Sequence, residues 1–317
     1  WDELAAALNR TKTAFDLATN AENTAKLSTK VGAGDCISFD WEDAVPTDIL
    51  PEPLPLAILY EDADVTVINK RQGMVVHPAS GNWSGTLVNA LLYHWGREAI
   101  ALAPATTDAS AAASLAAHRP GIVHRLDKDT SGVIITAKHR ESEEWLQAQF
   151  KRRSLTKVYI AIVTGRPRAW SGEIKTQLVR DSHDRKRFKA VEGSTAGKFA
   201  HTSYRCIASY SRGREVYSLM VLHLHTGRTH QLRVHLKHIG CPILGDPVYG
   251  KPAAGTAFQG ATLMLHAFVL RIRLFKQTKA TTFKAPVPPR FLKVLKVLHA
   301  QFVCNKPSAA ANVQGRV

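Results

Sequence analysis

Asp127 stands between Arg125 and Lys128 in the polar stretch His124-Arg125-Leu126-Asp127-Lys128-Asp129-Thr130-Ser131-Gly132, and the uncharged run Val133 to Thr136 follows at once. A β-branched run of this kind reads as a buried strand, so the turn sets a carboxylate at the margin of a core. A carboxylate in that position is either well paired or at work, and work for a carboxylate means proton transfer or nucleophilic attack. The competing reading is a salt-bridged turn that caps the strand, since Asp, Thr and Ser favour turns and Gly132 eases the exit. Residues 124 to 132 alone leave both readings open.

Other clusters that could carry chemistry are weaker. The histidines 223, 225, 230, 235 and 238 fall on a strand and a helix with no acid or cysteine in the segment, so they do not compose a metal site. Cysteines 36, 206, 241 and 304 are far apart and irregularly spaced, which suggests neither disulfides nor zinc, and they read as buried thiols. No metal and no cofactor is expected.

The formal charge of +16 and a pI near 9.9 point to a polyanionic partner, because clustered Lys and Arg displace counterions from phosphates. Residues 31 to 69 hold nine acids and no Lys or Arg, so the rest of the chain carries +25. Charge alone would also suit a DNA-binding protein, but no helix-turn-helix or finger signature is present. No apolar run approaches the ~18 residues of a membrane span, and the start Trp1-Asp-Glu-Leu lacks a signal sequence, so a cytoplasmic protein without a membrane partner is expected.

Three motifs in order break the tie at Asp127. His124-Arg125-Leu126-Asp127 with Asp129-Thr130-Ser131-Gly132 resembles the central motif of RNA pseudouridine synthases of the RluA type. Lys157-Val-Tyr159-Ile-Ala161-Ile-Val163-Thr-Gly165 is similar to that family's second motif, and Thr226-Gly227-Arg228-Thr229-His230-Gln231-Leu232-Arg233-Val234-His235-Leu236 to its third. Gly240-Cys-Pro242-Ile243-Leu-Gly245-Asp246-Pro247-Val-Tyr249-Gly250 and Leu265-His266-Ala267 continue the pattern, which spans roughly residues 55 to 290. Two positions depart from it: Lys70-Arg71 replaces Lys-Pro, and Lys198-Phe199-Ala200 replaces Lys-Pro-Ala.

The resemblance implies isomerisation of uridine to pseudouridine, in which the C1′ to N1 bond breaks, the uracil turns and C5 is joined to C1′. Such chemistry needs a carboxylate at the sugar, a group keeping it ionised, a surface for the freed base and exclusion of water. By resemblance Asp127 is the acid-base or nucleophile, Arg233 pairs with it, and Tyr159 stacks on the uracil. Arg125 would fill the gap left by the flipped nucleotide. Arg228, His230 and Gln231 in the third motif, and Arg185, Lys186 and Arg187 in the basic stretch 175 to 190, are the expected RNA contacts. Large-subunit ribosomal RNA is the expected substrate, with transfer RNA, or a non-catalytic RNA-binding role on the same fold, as alternatives. The enzyme is expected to act as a monomer.

The elements that must position these residues are legible in outline. Periodicity predicts strands at 57–60, 65–70 and 216–224 and helices at 86–94, 141–150, 229–238 and 291–302. The implied fold is α+β, a long mixed and mainly antiparallel sheet with flanking helices and a central catalytic cleft. Within residues 1–45, the stretch Lys26 to Phe39 resembles the closing strands of an S4-type RNA-binding domain, which implies either a partial or diverged S4-like segment or no such module, and the prolines of 46–55 suit a semi-extended linker. The catalytic domain runs over 56–303, and 304–317 reads as a disordered tail. Within it, 101–117 reads as a mobile Ala-rich insertion or an Ala-rich helix.

Overall fold

The computed structural model describes residues 49–78, 81–96, 121–182, 184, 186–250 and 257–307, together with strands at 15–17, 24–25 and 37–38. The chain divides into two units, Trp1–Asp48 and Ile49–Val317. In the first, β1 (Phe15–Leu17), β2 (Thr24–Ala25) and β3 (Ile37–Ser38) form a small antiparallel sheet in the order β2-β1-β3. Most of the S4-like segment, the insertion at 101–117 and Arg185 lie outside the described residues.

The second unit is built on one long sheet. Its strands are β4 (Ile58–Glu61), β5 (Val65–Lys70), β6 (Ser131–Ala137), β7 (Thr156–Thr164), β8 (Ser171–Arg180), β9 (Phe188–Val191), β10 (Lys198–Arg212), β11 (Glu215–Leu224), β12 (Leu265–Arg273), β13 (Ala280–Lys284) and β14 (Val303–Asn305). Their order is β4-β5-β6-β12-β7-β11-β10-β8-β9, with β13 paired to β12 and β14 to β10. Only β6 and β12 pair in parallel among the described residues, and the rest are antiparallel. Helices α1 (Leu87–Trp95), α2 (Arg140–Arg152), α3 (Gln231–His238) and α4 (Pro289–Gln301) complete the described part of an α+β fold.

The uncharged run after the Asp127 turn is continuous because its strand is covered on both faces. Every residue of β6 is buried. Val133, Ile135 and Ala137 pack with Val65 and Val67 and with Leu146 of α2, whereas Ile134 faces Ile68 and α1 residues Leu87, Val88 and Leu91. Burying a side chain such as Ile134 or Ile135 contributes about 1.5–3 kcal/mol, so this strand anchors the turn before it. Gly132 permits the parallel pairing at its start: its φ is +117° and a Cβ there would stand 2.1 Å from the carbonyl oxygen of Ala267 on β12.

Two expected boundaries are corrected. Residues 49–55 are extended but packed, since Ile49 and Leu54 lie against the core and the Glu52 amide donates to the Asn89 carbonyl at 2.9 Å. Asn89 Nδ2 donates in turn to Leu50 O at 2.7 Å, and the Glu52 carboxylate accepts from Gly85 N at 3.0 and 3.1 Å. Proline removes donors but leaves an extended segment free to dock through its other residues. The tail expected from residue 304 begins as strand instead, with Cys304 and Asn305 paired to Tyr210 and Ser209 on β10.

Candidate active site

A cleft of about 1020 Å³ opens across the middle of the sheet, and Asp127, Tyr159 and Arg233 all line it. They arrive from a loop, β7 and α3, separated by 32 and 74 residues of sequence. Asp127 is the one acid among the described lining residues, beside seven Lys or Arg: 125, 151, 153, 157, 228, 233 and 271.

The Asp127 loop is held from beneath by backbone acceptors. Thr130 N donates to Asp127 O at 3.1 Å and Gly73 N to Lys128 O at 2.9 Å. Lys70, 1% exposed, donates from Nζ to Lys128 O at 3.1 Å, Met74 O at 2.8 Å and Arg71 O at 3.1 Å. Its side chain therefore ties the loop after β5 to the loop before β6. His124 accepts from the Ile135 amide through Nε2 at 3.1 Å and stacks on Phe150, with ring centroids 4.6 Å apart. Burial, with the Lys157 charge, pulls the His124 pKa down to about 3, so this histidine is a neutral brace.

Arg233 is fixed by a partner in the Gly245-Asp246-Pro247 turn. Nε and Nη2 donate to Asp246 Oδ2 and Oδ1, both at 2.8 Å, leaving Nη1 to donate to Asp127 Oδ2 at 3.2 Å. Two parallel bonds to one carboxylate orient a guanidinium as a lysine could not be oriented. The Tyr249 ring lies 5.2 Å from the same guanidinium. Burial works against the Arg233 charge, but Asp246 and then Asp127 outweigh it and raise its pKa. Burial likewise pushes Asp246 up, and its bonds to Arg233 and to the Val248 and Tyr249 amides bring it below the ordinary aspartate value.

Tyr159 is 6% exposed on β7, opposite Leu222 and Ala267. Burial first, and the charge of Asp127 second, raise the pKa of its phenol, which stays protonated at neutral pH. The ring offers an apolar face beside the carboxylate.

The remaining expected contacts separate into groups. Arg125 is exposed at the cleft wall, and Arg228 lines it with Nε donating to Phe199 O at 3.1 Å. His230 faces the cleft at the N-cap of α3, in a left-handed conformation with φ 56°, and its Nδ1 lies 3.0 Å from the Tyr249 hydroxyl. Gln231 also lines the cleft, and at 2% exposure its side chain braces the turn. Its Oε1 accepts from Thr226 Oγ1 at 2.7 Å and Arg228 N at 3.1 Å, and its Nε2 donates to His201 O and Thr202 Oγ1 at 3.0 Å each. Both donors and the acceptor oxygen are thereby committed.

Lys186 and Arg187 are exposed between β8 and β9, outside the cleft lining. The basic stretch is less free than its composition implies, because Lys175 pairs with Glu173, Arg187 with Asp184 at 3.2 Å and Lys189 with Asp181 at 3.1 Å. The histidines serve separate partners. His235 lies between Thr176 and Thr202, His225 binds Ser203 and stacks on His201, and His238 meets Glu192.

Asp246 and Tyr249 went unassigned among the sequence candidates, although they stand in a quoted motif. An Asp before Pro reads as a turn former, and only the fold reveals that its carboxylate faces α3.

A cleft of this charge, with one carboxylate held against an arginine, defines a class of enzyme that handles a polyanion. Residues 64–238 match the family model described as RNA pseudouridylate synthase. The ribosomal large subunit pseudouridine synthase D of Borreliella burgdorferi is 40% identical over 263 residues, covering 81% of this chain and 72% of that protein. The protein of the same name from Zymomonas mobilis is 41% identical over 205 residues, covering 65% of this chain and 59% of that one. Human RNA Pseudouridylate Synthase Domain Containing 1 superposes with a TM-score of 0.57 at 25% identity, covering 86% of this chain and 96% of that one. This chain belongs to the RNA pseudouridylate synthase family, in keeping with its RluA-type motifs.

Proposed function

We propose that this chain converts uridines to pseudouridine in large-subunit ribosomal RNA, with Asp127 as the catalytic carboxylate. The observation that carries the reading is the Arg233 guanidinium, locked by Asp246 and presented at 3.2 Å to the one acid among the described lining residues of a basic cleft. The names of the Borreliella burgdorferi and Zymomonas mobilis proteins favour the ribosomal substrate.

The backbone of the RNA is attracted by the cleft's cations, and the target nucleotide leaves its stack to reach Asp127. Arg125 occupies the space it vacates. Tyr159 supports the uracil face while the C1′ to N1 bond breaks, the base turns and C5 bonds to C1′. The balance is internal to the nucleotide, since C5 loses a proton and N1 ends with one, with nothing oxidised or hydrolysed. Arg233 holds the charge of Asp127 in place throughout. The ribosomal substrate favours a reaction in the cytoplasm, and, separately, no described helix is long and apolar enough to cross a membrane.

The test incubates the purified protein with transcribed large-subunit ribosomal RNA and, separately, with transfer RNA, and maps pseudouridine in each. Product in the ribosomal transcript alone supports the reading. Product in transfer RNA alone reassigns the substrate, and product in neither leaves a non-catalytic RNA-binding role.

A further inference from the structure

The cleft extends away from Asp127 into a second basic region. Lys157 lies at the start of β7, and Arg153 ends α2 in a left-handed conformation with φ 56°. Arg271 stands on β12 opposite Thr156. All three line the cleft, and none makes an ion pair among the described residues. The contrast with the β8–β9 hairpin is physical, because there Lys175, Arg187 and Lys189 each have an acid within reach.

Lys157 is half-buried. Its Nζ stands 5.9 Å from the Phe150 ring centroid and 3.7 Å from the point where a side chain on Gly227 would begin. Burial, with Arg153 adding to it, draws its pKa down to about 8, as expected of an ammonium set among cations without a counter-charge. Desolvating such a group costs free energy unless an anion completes the site. Absence of a side chain at Gly227 keeps the approach to Nζ open.

Lys157 and Tyr159 are two residues apart on one strand, so they project from the same face about 6.6 Å apart. An anion held at Nζ is therefore next to whatever lies on Tyr159.

We propose that Lys157, Arg153 and Arg271 bind backbone phosphates of the RNA adjoining the nucleotide that enters beside Tyr159 and Asp127. This subsite rests on the reading of the chain as an RNA enzyme. It differs from the hairpin contacts in position, since its residues line the cleft, and in having no acid to release among the described residues when RNA arrives.

The experiment measures affinity for a large-subunit ribosomal RNA transcript over a range of salt concentrations. Proteins compared are the wild type and Lys157→Met, Lys157→Arg, Arg271→Met, Arg153→Met and Lys157→Met with Arg271→Met. Loss of one phosphate contact lowers the slope of log K against log salt by about 1. Lys157→Met and Arg271→Met are each expected to do so, the double variant to lower it by about 2, and Lys157→Arg to keep the wild-type slope. A wild-type slope in Lys157→Met overturns the proposal. Should Lys157→Met fail to fold, the exposed Arg271 and Arg153 carry the test, and wild-type slopes in both of their Met variants overturn it equally. Binding is read without turnover, which keeps the two readings apart. A wild type that makes no pseudouridine but loses slope with Lys157→Met removes the proposed reaction and keeps the phosphate site. Full turnover with unchanged slope removes only the site.

Discussion

Asp246 grips Arg233 with two hydrogen bonds of 2.8 Å and so directs the remaining nitrogen onto Asp127 at 3.2 Å. The two carboxylates are unequal: the Asp246 side chain is 0% exposed and that of Asp127 is 23% exposed. The buried one fixes geometry, and the other remains open to a substrate. Arg233 thereby joins a turn at 246 to a loop at 127 that share no strand.

Asp246→Asn keeps the shape and removes the charge that holds Arg233. Breaking a buried ion pair from one side costs about 3–5 kcal/mol, so the variant should unfold at lower denaturant. Its turnover should fall while RNA affinity stays within a few-fold, because Arg233 loses its orientation and the cleft keeps its other cations. Denaturation midpoints and single-turnover rates on the same preparation check both.

Arg233→Lys retains one positive charge but cannot bind two oxygens in parallel and a third beyond them, whereas Arg233→Met retains only the length. The expected order of activity is Arg233, then Lys, then Met, with Met nearly inactive. Arg228→Met should chiefly raise the substrate concentration needed, since Arg228 braces Phe199 O at the cleft wall. Single-turnover rates would reverse these roles if Arg228→Met were dead and Arg233→Met near normal.

Acid should destabilise the protein through buried neutral histidines. His235, between the hydroxyls of Thr176 and Thr202, has its pKa lowered to about 4, and burial lowers His266 to about 4. Above pH 6.5 both are neutral in the folded and unfolded chain. As pH falls from about 6.5 to 4 the unfolded chain takes up protons first, so stability declines across that window and this contribution levels off below it. Thermal midpoints should be flat above pH 6.5 and fall steeply beneath, with a shallower fall in His235→Gln. A parallel fall in that variant would remove His235 from the account.

Neutralising Lys186 and Arg187 together should lower the salt slope of RNA binding by about 1 to 2. The lower figure applies if the 3.2 Å pairing of Arg187 with Asp184 already supplies its counter-charge. An unchanged slope would make the hairpin an ordinary solvated face.

Local pattern made much of this fold legible. The strands at 65–70 and 215–224 and the helices at 87–95, 140–152, 231–238 and 289–301 follow from alternation and from apolar spacing. The strand order β6-β12-β7 was not legible in that way, because its pairings join residues far apart in sequence. β14 is three exposed residues long and gives no periodic signal. Gln231 read as a contact because it opens a helix beside two basic residues, and only the fold reveals its four partners inside the protein. Asp246 was hidden for the opposite reason, as a residue whose turn-forming role is sufficient until the arginine opposite it is seen.

Asp127→Asn addresses the central claim most directly, because it removes a carboxylate and leaves the size of the side chain and the surrounding cations in place. Pseudouridine in transcribed large-subunit ribosomal RNA is to be quantified under single-turnover conditions for wild type and variant, alongside their RNA affinities. The account predicts product from the wild type, none from Asp127→Asn, and affinities within a few-fold of each other. An Asp127→Asn protein that still forms pseudouridine at a rate near that of the wild type would contradict it.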